Sequence, residues 1–402
     1  MPPPDPNKNV VILYKGETVY DSMRVMTDQI GEGLRRLGYR TEDLDLVAPG
    51  HSERLIALFN RRDLAFFFGF NAWGADLDLN GRSLYDVTQA PMFKFFLDHP
   101  IFGFSRVTAS TTRRGLFSFT CRNQADFVRA LLPEDREPQV IPHGAFVPSD
   151  PPLPMDRRDI EILFVGSVIH PDSIREGWAN IEDRARRVLT DAVDLYMSDM
   201  QQTFIHAILG VLARTGAEIN DIGEANFARV AIELDRYMQA HLRYTTIERL
   251  TDLPLQVYGN GWEALRDKGT RATFHPAENF GRSMAMTNRA KIALHAIPYY
   301  YESHERVFNG MAHGAAVMAS RSGYFESIFT PGRDLLVYGF ADADLPDRLA
   351  ALARDPAKLA ELGANGRRAC LAAHTWHHRA ADVARLVALY GTGAGFATVG
   401  SA

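Results

Sequence analysis

The sequence predicts an α/β protein with two lobes, each built on a mostly parallel, doubly wound sheet. Short apolar runs of strand length, such as NVVILY at residues 9–14 and IEILFVG at residues 160–166, alternate with segments of helical apolar spacing. Four prolines within residues 148–154 interrupt that alternation, which then restarts, as expected of a linker between domains. The length of 402 residues suits two or three domains.

The first lobe begins with the run at residues 9–14, which is apolar throughout and typical of a buried parallel strand. Helical apolar spacing over residues 23–37 predicts the next element, and Gly38 is a suitable residue to end that helix. Further strands are predicted at residues 63–70, 115–120 and 139–144, and helices at residues 55–59 and 124–132.

The second lobe is predicted to contain a helical insert, because residues 173–251 lack proline and carry helical apolar spacing. Its strands are predicted at residues 160–166, 254–259, 291–297, 317–320 and 335–338. The predicted boundaries are an N-terminal lobe at 1–150, a C-terminal lobe at 155–375 with the insert at 173–251, a helix at 376–390 and a flexible tail at 391–402.

Composition excludes several classes of function. The chain has 44 Lys and Arg against 49 Asp and Glu, a net charge of −5, which argues against a nucleic-acid or membrane-surface partner. No apolar run approaches the roughly 18 residues of a membrane span. Cys121 and Cys370 are far apart and form no CxxC pair, which fits small core residues in a cytoplasmic protein.

The segment at residues 291–320 is the richest in candidate binding residues. A strand runs into a polar aromatic loop, and a helix then begins near Ser303, whose hydroxyl could cap it. Free N–H groups at such a helix start favour an anion, and Arg306 could hold a phosphate as a planar donor. Glu305 and Asn309, four residues apart, could bind sugar hydroxyls. The alternative is an ordinary surface helix with solvated Glu305 and Arg306.

Five motifs resemble those of one enzyme family. Residues 305–318 (ERVFNGMAHGAAVM) are similar to its R-x-F-E-x-x-A-x-G signature, and residues 258–262 (YGNGW) to its Y-G-x-G-W turn. The other three matches are the loop at 322–334, the HTWHHR at 374–379 and the PHG that ends at residue 144. The chain thus resembles the group 1 glycosyltransferases, most closely the branch with spore-maturation-type proteins, over about residues 255–385.

The resemblance implies the GT-B fold, in which two Rossmann-like lobes face each other across a cleft. It also implies that the C-terminal lobe binds a nucleotide-diphosphate sugar and the N-terminal lobe a glycan or protein acceptor, with no other cofactor and no metal. The donor-binding residues implied in this chain are Gly166, Ser167, Tyr258, Gly259, Gly261, Trp262, Glu302, Ser303, His304, Glu305, Arg306 and Asn309. Where the family has a glutamate for the ribose, this chain has Asn309, so Asn309, Glu302 or Glu305 would hold it.

Asp98 and His99, just after a strand, are the candidate catalytic residues of the first lobe. His99 could deprotonate an acceptor hydroxyl with Asp98 orienting it, while Arg306 stabilises the departing diphosphate. The alternative is a strand-end histidine bonded to the backbone.

Three functions stay open at this point. The first is sugar transfer to a glycan or protein. The second is a sugar-nucleotide epimerase or phosphorylase of the same fold. The third is a non-catalytic scaffold or assembly protein, which the asparagine at 309 and the helical insert both allow. The oligomeric state is left open.

Overall fold

A computed structural model describes residues 4–18, 20–103, 106–107, 115–130 and 137–390, so the predicted tail at 391–402 lies outside it. The chain divides into two compact units, one from the described parts of Met1–Val147 and Ala372–Ala402 and one from Pro148–Leu371. Each unit has its own six-stranded sheet.

The N-terminal unit is built on a parallel sheet. Its strands are β1 (Val10–Lys15), β2 (Arg40–Asp45), β3 (Leu64–Phe70), β4 (Asp78–Leu79), β5 (Arg82–Ser83), β6 (Met92–Phe96), β7 (Gly115–Phe119) and β8 (Gln139–Val140). The sheet order is β2-β1-β3-β6-β7-β8, with every pairing parallel. The two-residue strands β4 and β5 form a separate antiparallel pair. Because the central strands β1, β3 and β6 are covered on both faces, their side chains are almost all buried.

Five helices of this unit have both ends within the described residues: α1 (Ser22–Arg36), α2 (His51–Leu58), α3 (Leu84–Thr88), α4 (Arg122–Arg129) and, at the end of the described chain, α16 (Trp376–Tyr390). Helix α16 packs on α1. The Arg379 guanidinium donates to the His143 carbonyl at 3.0 Å, and a parallel bridge joins Ala145 to Thr375. The end of the described chain therefore belongs to the core of the first unit.

The C-terminal unit repeats the plan. Its strands are β9 (Ile160–Val165), β10 (Leu255–Tyr258), β11 (Thr273–His275), β12 (Ala290–His295), β13 (Ala316–Ser320) and β14 (Leu336–Tyr338). They lie in the order β11-β10-β9-β12-β13-β14, again with every pairing parallel. The predicted α/β class and the two parallel sheets are thereby confirmed.

The helices of this unit are α5 (Pro171–Gly177), α6 (Asp183–Ser198), α7 (Phe204–Thr215), α8 (Ile219–Ile222), α9 (Glu224–Glu248), α10 (Glu263–Arg266), α11 (Phe280–Arg289), α12 (Glu305–Ala312), α13 (Gly323–Ile328), α14 (Leu345–Ala353) and α15 (Pro356–Ala373). The long helix α9 packs against α5, α6 and α7, so the segment between β9 and β10 forms a helical block within the C-terminal unit. None of the described helices combines the length and the apolar character needed to cross a bilayer.

Candidate functional site

Polar residues of the C-terminal unit gather where its strand order reverses. Strand β9 pairs with β10 on one side and with β12 on the other. Because crossover connections are right-handed, the helices that follow β9 and those that follow β12 lie on opposite faces of the sheet. The carboxyl ends of such a strand pair leave a crevice that open α/β sheets use for ligands. The turn after β9, together with the loop and helix α12 after β12, contains eight of the twelve predicted donor-binding residues, and the other four lie at the end of β10 and in the turn after it.

The turns after β9 and β10 are locked together by their backbones. Gly166 N–H donates to the Tyr258 carbonyl at 2.8 Å, and Val168 N–H donates to the Asn260 carbonyl at 2.9 Å. A Cβ on Gly259 would lie 2.2 Å from the Gly166 oxygen, which is why glycine is required there.

Two predicted residues support this pair of turns. Ser167 Oγ accepts from the Asn260 N–H at 3.0 Å. The Trp262 ring is buried, and its indole N–H donates to the Gly166 carbonyl at 2.9 Å. Trp262 therefore holds the turn after β9 in place. Tyr258 is half-buried, and its ring stacks on His275 with centroids 4.3 Å apart.

The loop that leads into α12 has a strained backbone. Tyr299–Tyr301 forms one 3-10 turn, and Glu302 then adopts φ 55°, a conformation unfavourable for a non-glycine residue. Its carbonyl accepts from the Ser322 hydroxyl, which helps to hold the strained residue in place. Strain of this kind is concentrated at ligand sites.

The helix cap differs from the prediction. His304, rather than the buried Ser303, is the N-cap of α12, and its Nδ1 accepts from the Arg306 N–H at 3.2 Å. That nitrogen also lies 2.9 Å from Glu305 Oε2, so protonating it would exchange the cap bond for an ion pair. Burial lowers the pKa of His304 despite the adjacent Glu305, which favours the neutral, capping ring.

Arg306 lies in the first turn of α12, beside the turn after β9. Its Nη1 lies 3.2 Å from the position that a Cβ on Gly166 would occupy, so the glycine leaves room for the guanidinium beside the turn. Its one ion pair among the described residues is a long one of 3.9 Å to Glu305. With 37% of its side chain exposed, Arg306 is accessible to a ligand and has N–H groups to spare.

Sequence reasoning missed His295, the last residue of β12. Its side chain is buried, its ring lies 4.7 Å from that of His304, and neither ring nitrogen has a hydrogen-bond partner among the described residues. Burial lowers the pKa of His295 well below its usual range, and His304 and Arg306 lower it further while Glu305 opposes them. A neutral imidazole therefore lies at the crevice end of β12.

Arg243 on α9 was also missed, because the insert was interpreted as a separate block. Its Nη1 donates to the Ser167 carbonyl at 2.6 Å. Burial and the positive charge of Arg306 lower the pKa of Arg243 to about 10, so it stays charged at neutral pH.

The same face of α9 holds the aromatic loop. Asp235, Gln239 and Arg243 recur every four residues, which places them in one row along the helix. The hydroxyls of Tyr300 and Tyr301 donate to the Asp235 carboxylate at 2.6 Å and 3.0 Å. This polar row, visible in the sequence at i, i+4 and i+8, was the signal that could have revealed Arg243.

Asn309, which replaces the family's glutamate, is buried one turn into α12. The neighbouring Gly310 allows α12 to approach the sheet, since a Cβ there would lie 2.9 Å from the Val317 side chain. Of the predicted residues on this helix, Arg306 is the one most accessible to a ligand.

Asp98 and His99 lie in the other unit, at the carboxyl end of β6. His99 is buried, and its Nδ1 accepts from the Ile101 N–H at 3.2 Å. Burial lowers the pKa of His99 to about 3, so the imidazole is neutral and weakly basic. Asp98 is exposed, and its Oδ2 accepts from the Asn71 amide at 2.9 Å.

Asn71 makes the end of β3 a second place of backbone strain. Asn71 and Ala72 have φ values of 47° and 60°, both in the left-handed region. The Asn71 side chain accepts from the Leu97 N–H at 2.9 Å, which ties the ends of β3 and β6 together.

Acidic residues are not grouped for a metal in the described part of the chain, where no cluster of three or more His, Cys, Asp or Glu is suitably placed. The short DxD pattern at Asp43 and Asp45 lies on β2, and both carboxylates are paired, with Lys15 and Arg24 respectively. The basic groups at the end of β9 and β12 instead favour an anionic ligand.

One family model matches the C-terminal part of the chain. Residues 240–385, which include Arg243, His295 and Arg306, match the family model described as Glycosyl transferase-like. A comparison with curated proteins gives no match.

Three solved structures have similar folds. Sucrose-phosphate synthase from Thermosynechococcus elongatus aligns with a TM-score of 0.57 at 13% identity, over 96% of this chain and 100% of that one. AviGT4, a glycosyltransferase involved in avilamycin A biosynthesis, aligns with a TM-score of 0.50 at 13% identity, over 96% and 98%. Anabaena HepE in complex with UDP-glucose aligns with a TM-score of 0.50 at 10% identity, over 94% and 99%.

At such identities a likeness establishes the fold and no more. The chain therefore carries a glycosyl transferase-like sequence over residues 240–385 and has the fold of the GT-B glycosyltransferases.

Proposed function

We propose that this protein is a glycosyltransferase that moves a sugar from a nucleotide-diphosphate sugar to a glycan or protein acceptor. The proposal includes hexosyl transfer without a metal and membership in the spore-maturation-type branch. The observation that carries it is the position of Arg306, in the first turn of α12, beside Gly166 at the end of β9. A guanidinium near a helix start is suited to a diphosphate, because it adds a planar pair of donors to the positive end of the helix dipole.

The proposed mechanism is electrostatic. As the bond between the sugar and the diphosphate breaks, negative charge grows on the departing phosphate oxygens. The guanidinium of Arg306, in the first turn of α12, is proposed to stabilise this charge without first reorganising water. The nucleotide base is proposed to lie near Tyr258, at the end of β10.

The acceptor is proposed to bind in the N-terminal unit, at the ends of β3 and β6. The exposed Asp98 carboxylate, oriented by Asn71, is better suited than the buried His99 to contact an acceptor hydroxyl. We therefore propose Asp98, in place of His99, as the residue that contacts the acceptor hydroxyl.

The substitution Arg306→Ala tests the donor site. Removing charged hydrogen bonds of this kind costs about 1.5–3 kcal/mol, which corresponds to roughly a tenfold to hundredfold weaker binding of the nucleoside diphosphate. Calorimetric titration with UDP is the first measurement, since HepE, which shares the fold, was solved with UDP-glucose. Sugar transfer should fall at least as far.

Arg282→Ala is the matched control, because Arg282 lies in the same unit but is exposed and paired with Glu278. It should leave UDP binding and transfer unchanged. If Arg306→Ala binds the diphosphate as well as the wild-type protein does, the donor site is wrongly assigned.

A further inference from the structure

We propose that the helical insert supplies a second cation to the donor site, with Arg243 of α9 binding the diphosphate together with Arg306. This inference rests on the proposed function and extends it to a residue outside the motifs. It makes the insert part of the binding site instead of a separate partner-binding module.

The first observation is that both arginines reach the same turn. Arg243 Nη1 donates to the Ser167 carbonyl at 2.6 Å, and Arg306 Nη1 lies 3.2 Å from the missing Cβ of the preceding Gly166. Two guanidinium groups thus meet at the end of β9, one from the insert and one from α12. A diphosphate between them would accept hydrogen bonds from both.

The second observation is that Arg243 is poorly compensated. Its guanidinium donates to the Ser167 carbonyl and forms no ion pair among the described residues, its Nε is shielded from water without a hydrogen-bond partner there, and Asp235 is the one carboxylate whose charge acts on it. The nearby Asp235 carboxylate already accepts from the two tyrosine hydroxyls. A shielded cation beside a second cation is unfavourable in the absence of an anion, which is what a diphosphate would supply.

The third observation is the buried His295, which lies against the α12 cap and has no partner for either ring nitrogen among the described residues. A neutral imidazole can donate one N–H to an anion without adding charge. The end of β12 therefore offers an unsatisfied hydrogen-bond donor to the proposed diphosphate site.

The anchoring of α9 explains why Arg243 can be held there. Asp235 and Gln239, one and two turns earlier on the same face, bond the tyrosines of the loop that enters α12, including Gln239 Nε2 to the Tyr301 hydroxyl at 2.9 Å. The loop, α12 and α9 are thereby fixed to one another, so the two arginines keep their spacing. Preorganised charges of this kind bind an anion more tightly than mobile ones.

The test uses the full chain, with inorganic pyrophosphate and UDP as probes in calorimetric titrations. Arg243→Gln keeps a donor for the Ser167 carbonyl but removes the charge, and Arg243→Lys keeps the charge. We expect Arg243→Gln to bind pyrophosphate at least about tenfold more weakly, and Arg243→Lys to lose clearly less. Arg236→Gln is the matched control, because Arg236 is on the same helix but half-exposed and paired with Glu233, and it should bind as the wild type does.

The melting temperature of the ligand-free protein separates a binding role from a structural one. Without the repulsion of Arg306, Arg243→Gln should melt at the same temperature as the wild type or higher. If it melts lower and still binds pyrophosphate normally, Arg243 only supports the fold and the inference is overturned. Should Arg243→Gln fail to fold, Arg243→Ala takes its place: weaker pyrophosphate binding than in the wild type supports the inference, and binding equal to that of the wild type overturns it.

The remaining outcomes distinguish this inference from the proposed function. If the wild type binds and Arg306→Ala loses pyrophosphate while Arg243→Gln does not, Arg243 has no part in an intact donor site. If the wild type binds neither probe at millimolar concentration, the proposed donor site itself is wrong, and the role of Arg243 falls with it.

Discussion

A single buried imidazole shows how local environment changes a residue's chemistry. His99 follows a strand and precedes a proline, a position from which a histidine could act as a base. Burial lowers its pKa to about 3, and its Nδ1 is occupied by the Ile101 N–H. The sequence shows the residue type but not its desolvation, so the role of His99 could not be decided from the pattern.

His99 should make the protein acid-sensitive. Its pKa is near 6.5 when unfolded and about 3 when folded, so below pH 6.5 the unfolded state takes up a proton that the folded state refuses. Stability is therefore lost as the pH falls from 6.5 toward 3, by about 2 kcal/mol at pH 5. Replacing His99 by Asn, which can still accept from the Ile101 N–H, should reduce the loss between pH 7 and pH 5 by that amount.

Free energies of unfolding from urea titrations at the two pH values measure this difference. His206→Asn, at an exposed position, is the control and should show the full loss of the wild type. An equal loss in His99→Asn would mean that another group causes the acid sensitivity.

Two further residues show where prediction of the site failed. The preference of serine for helix caps pointed to Ser303, but Ser303 is buried and the imidazole of His304 accepts the cap bond. Arg243 belongs to an amphipathic helix that looks unrelated to the motifs. Its proximity to Ser167 comes from a contact between residues 76 positions apart, which no local pattern reveals.

At the scale of elements, the paired turns after β9 and β10 hold the site in shape. Gly261 has φ +88°, and a Cβ there would lie 1.8 Å from the Val168 carbonyl oxygen. Strands β9 and β10, which precede these turns, were predictable because buried strands are apolar throughout. The edge strands β2 and β11 were missed, since β2 (RTEDLD) is largely polar and β11 has only three residues.

The substitution Gly261→Ala should break this pair of turns. The clash with Val168 adds to the strain of the backbone angle, so we expect the free energy of unfolding to fall by roughly 3 kcal/mol or more. UDP binding should be lost as well. Gly269→Ala is the matched control, because Gly269 also has a positive φ of +65° but no atom within 4 Å of its Cβ position. It should cost only about 1–2 kcal/mol.

Thermal unfolding of both variants against the wild type measures the contrast. Equal destabilisation by the two substitutions would show that the clash with Val168 is relieved, and that the turns are less tightly coupled than their hydrogen bonds indicate.

At the scale of the whole molecule, the linker prolines and the repeated alternation of strands and helices were enough to predict two α/β units. They were not enough to predict that α16, which follows the C-terminal unit in sequence, packs in the N-terminal unit. Helix α16 packs on α1, with His377 Nε2 3.2 Å from Glu32 Oε2 and Ala380 close to Gly33. Such a contact joins residues hundreds of positions apart, and only tertiary packing determines it.

The central claim is that the C-terminal unit binds a nucleoside diphosphate, and a thermal-shift screen of the full chain tests it most directly. UDP, GDP and dTDP at 1 mM would be compared with the corresponding monophosphates, because the second phosphate is what Arg306 at the start of α12 is proposed to hold. For a dissociation constant near 100 μM, at least one diphosphate should raise the melting temperature by about 2–4 °C, more than its monophosphate does. No shift with any diphosphate, or equal shifts with diphosphate and monophosphate, would contradict the account.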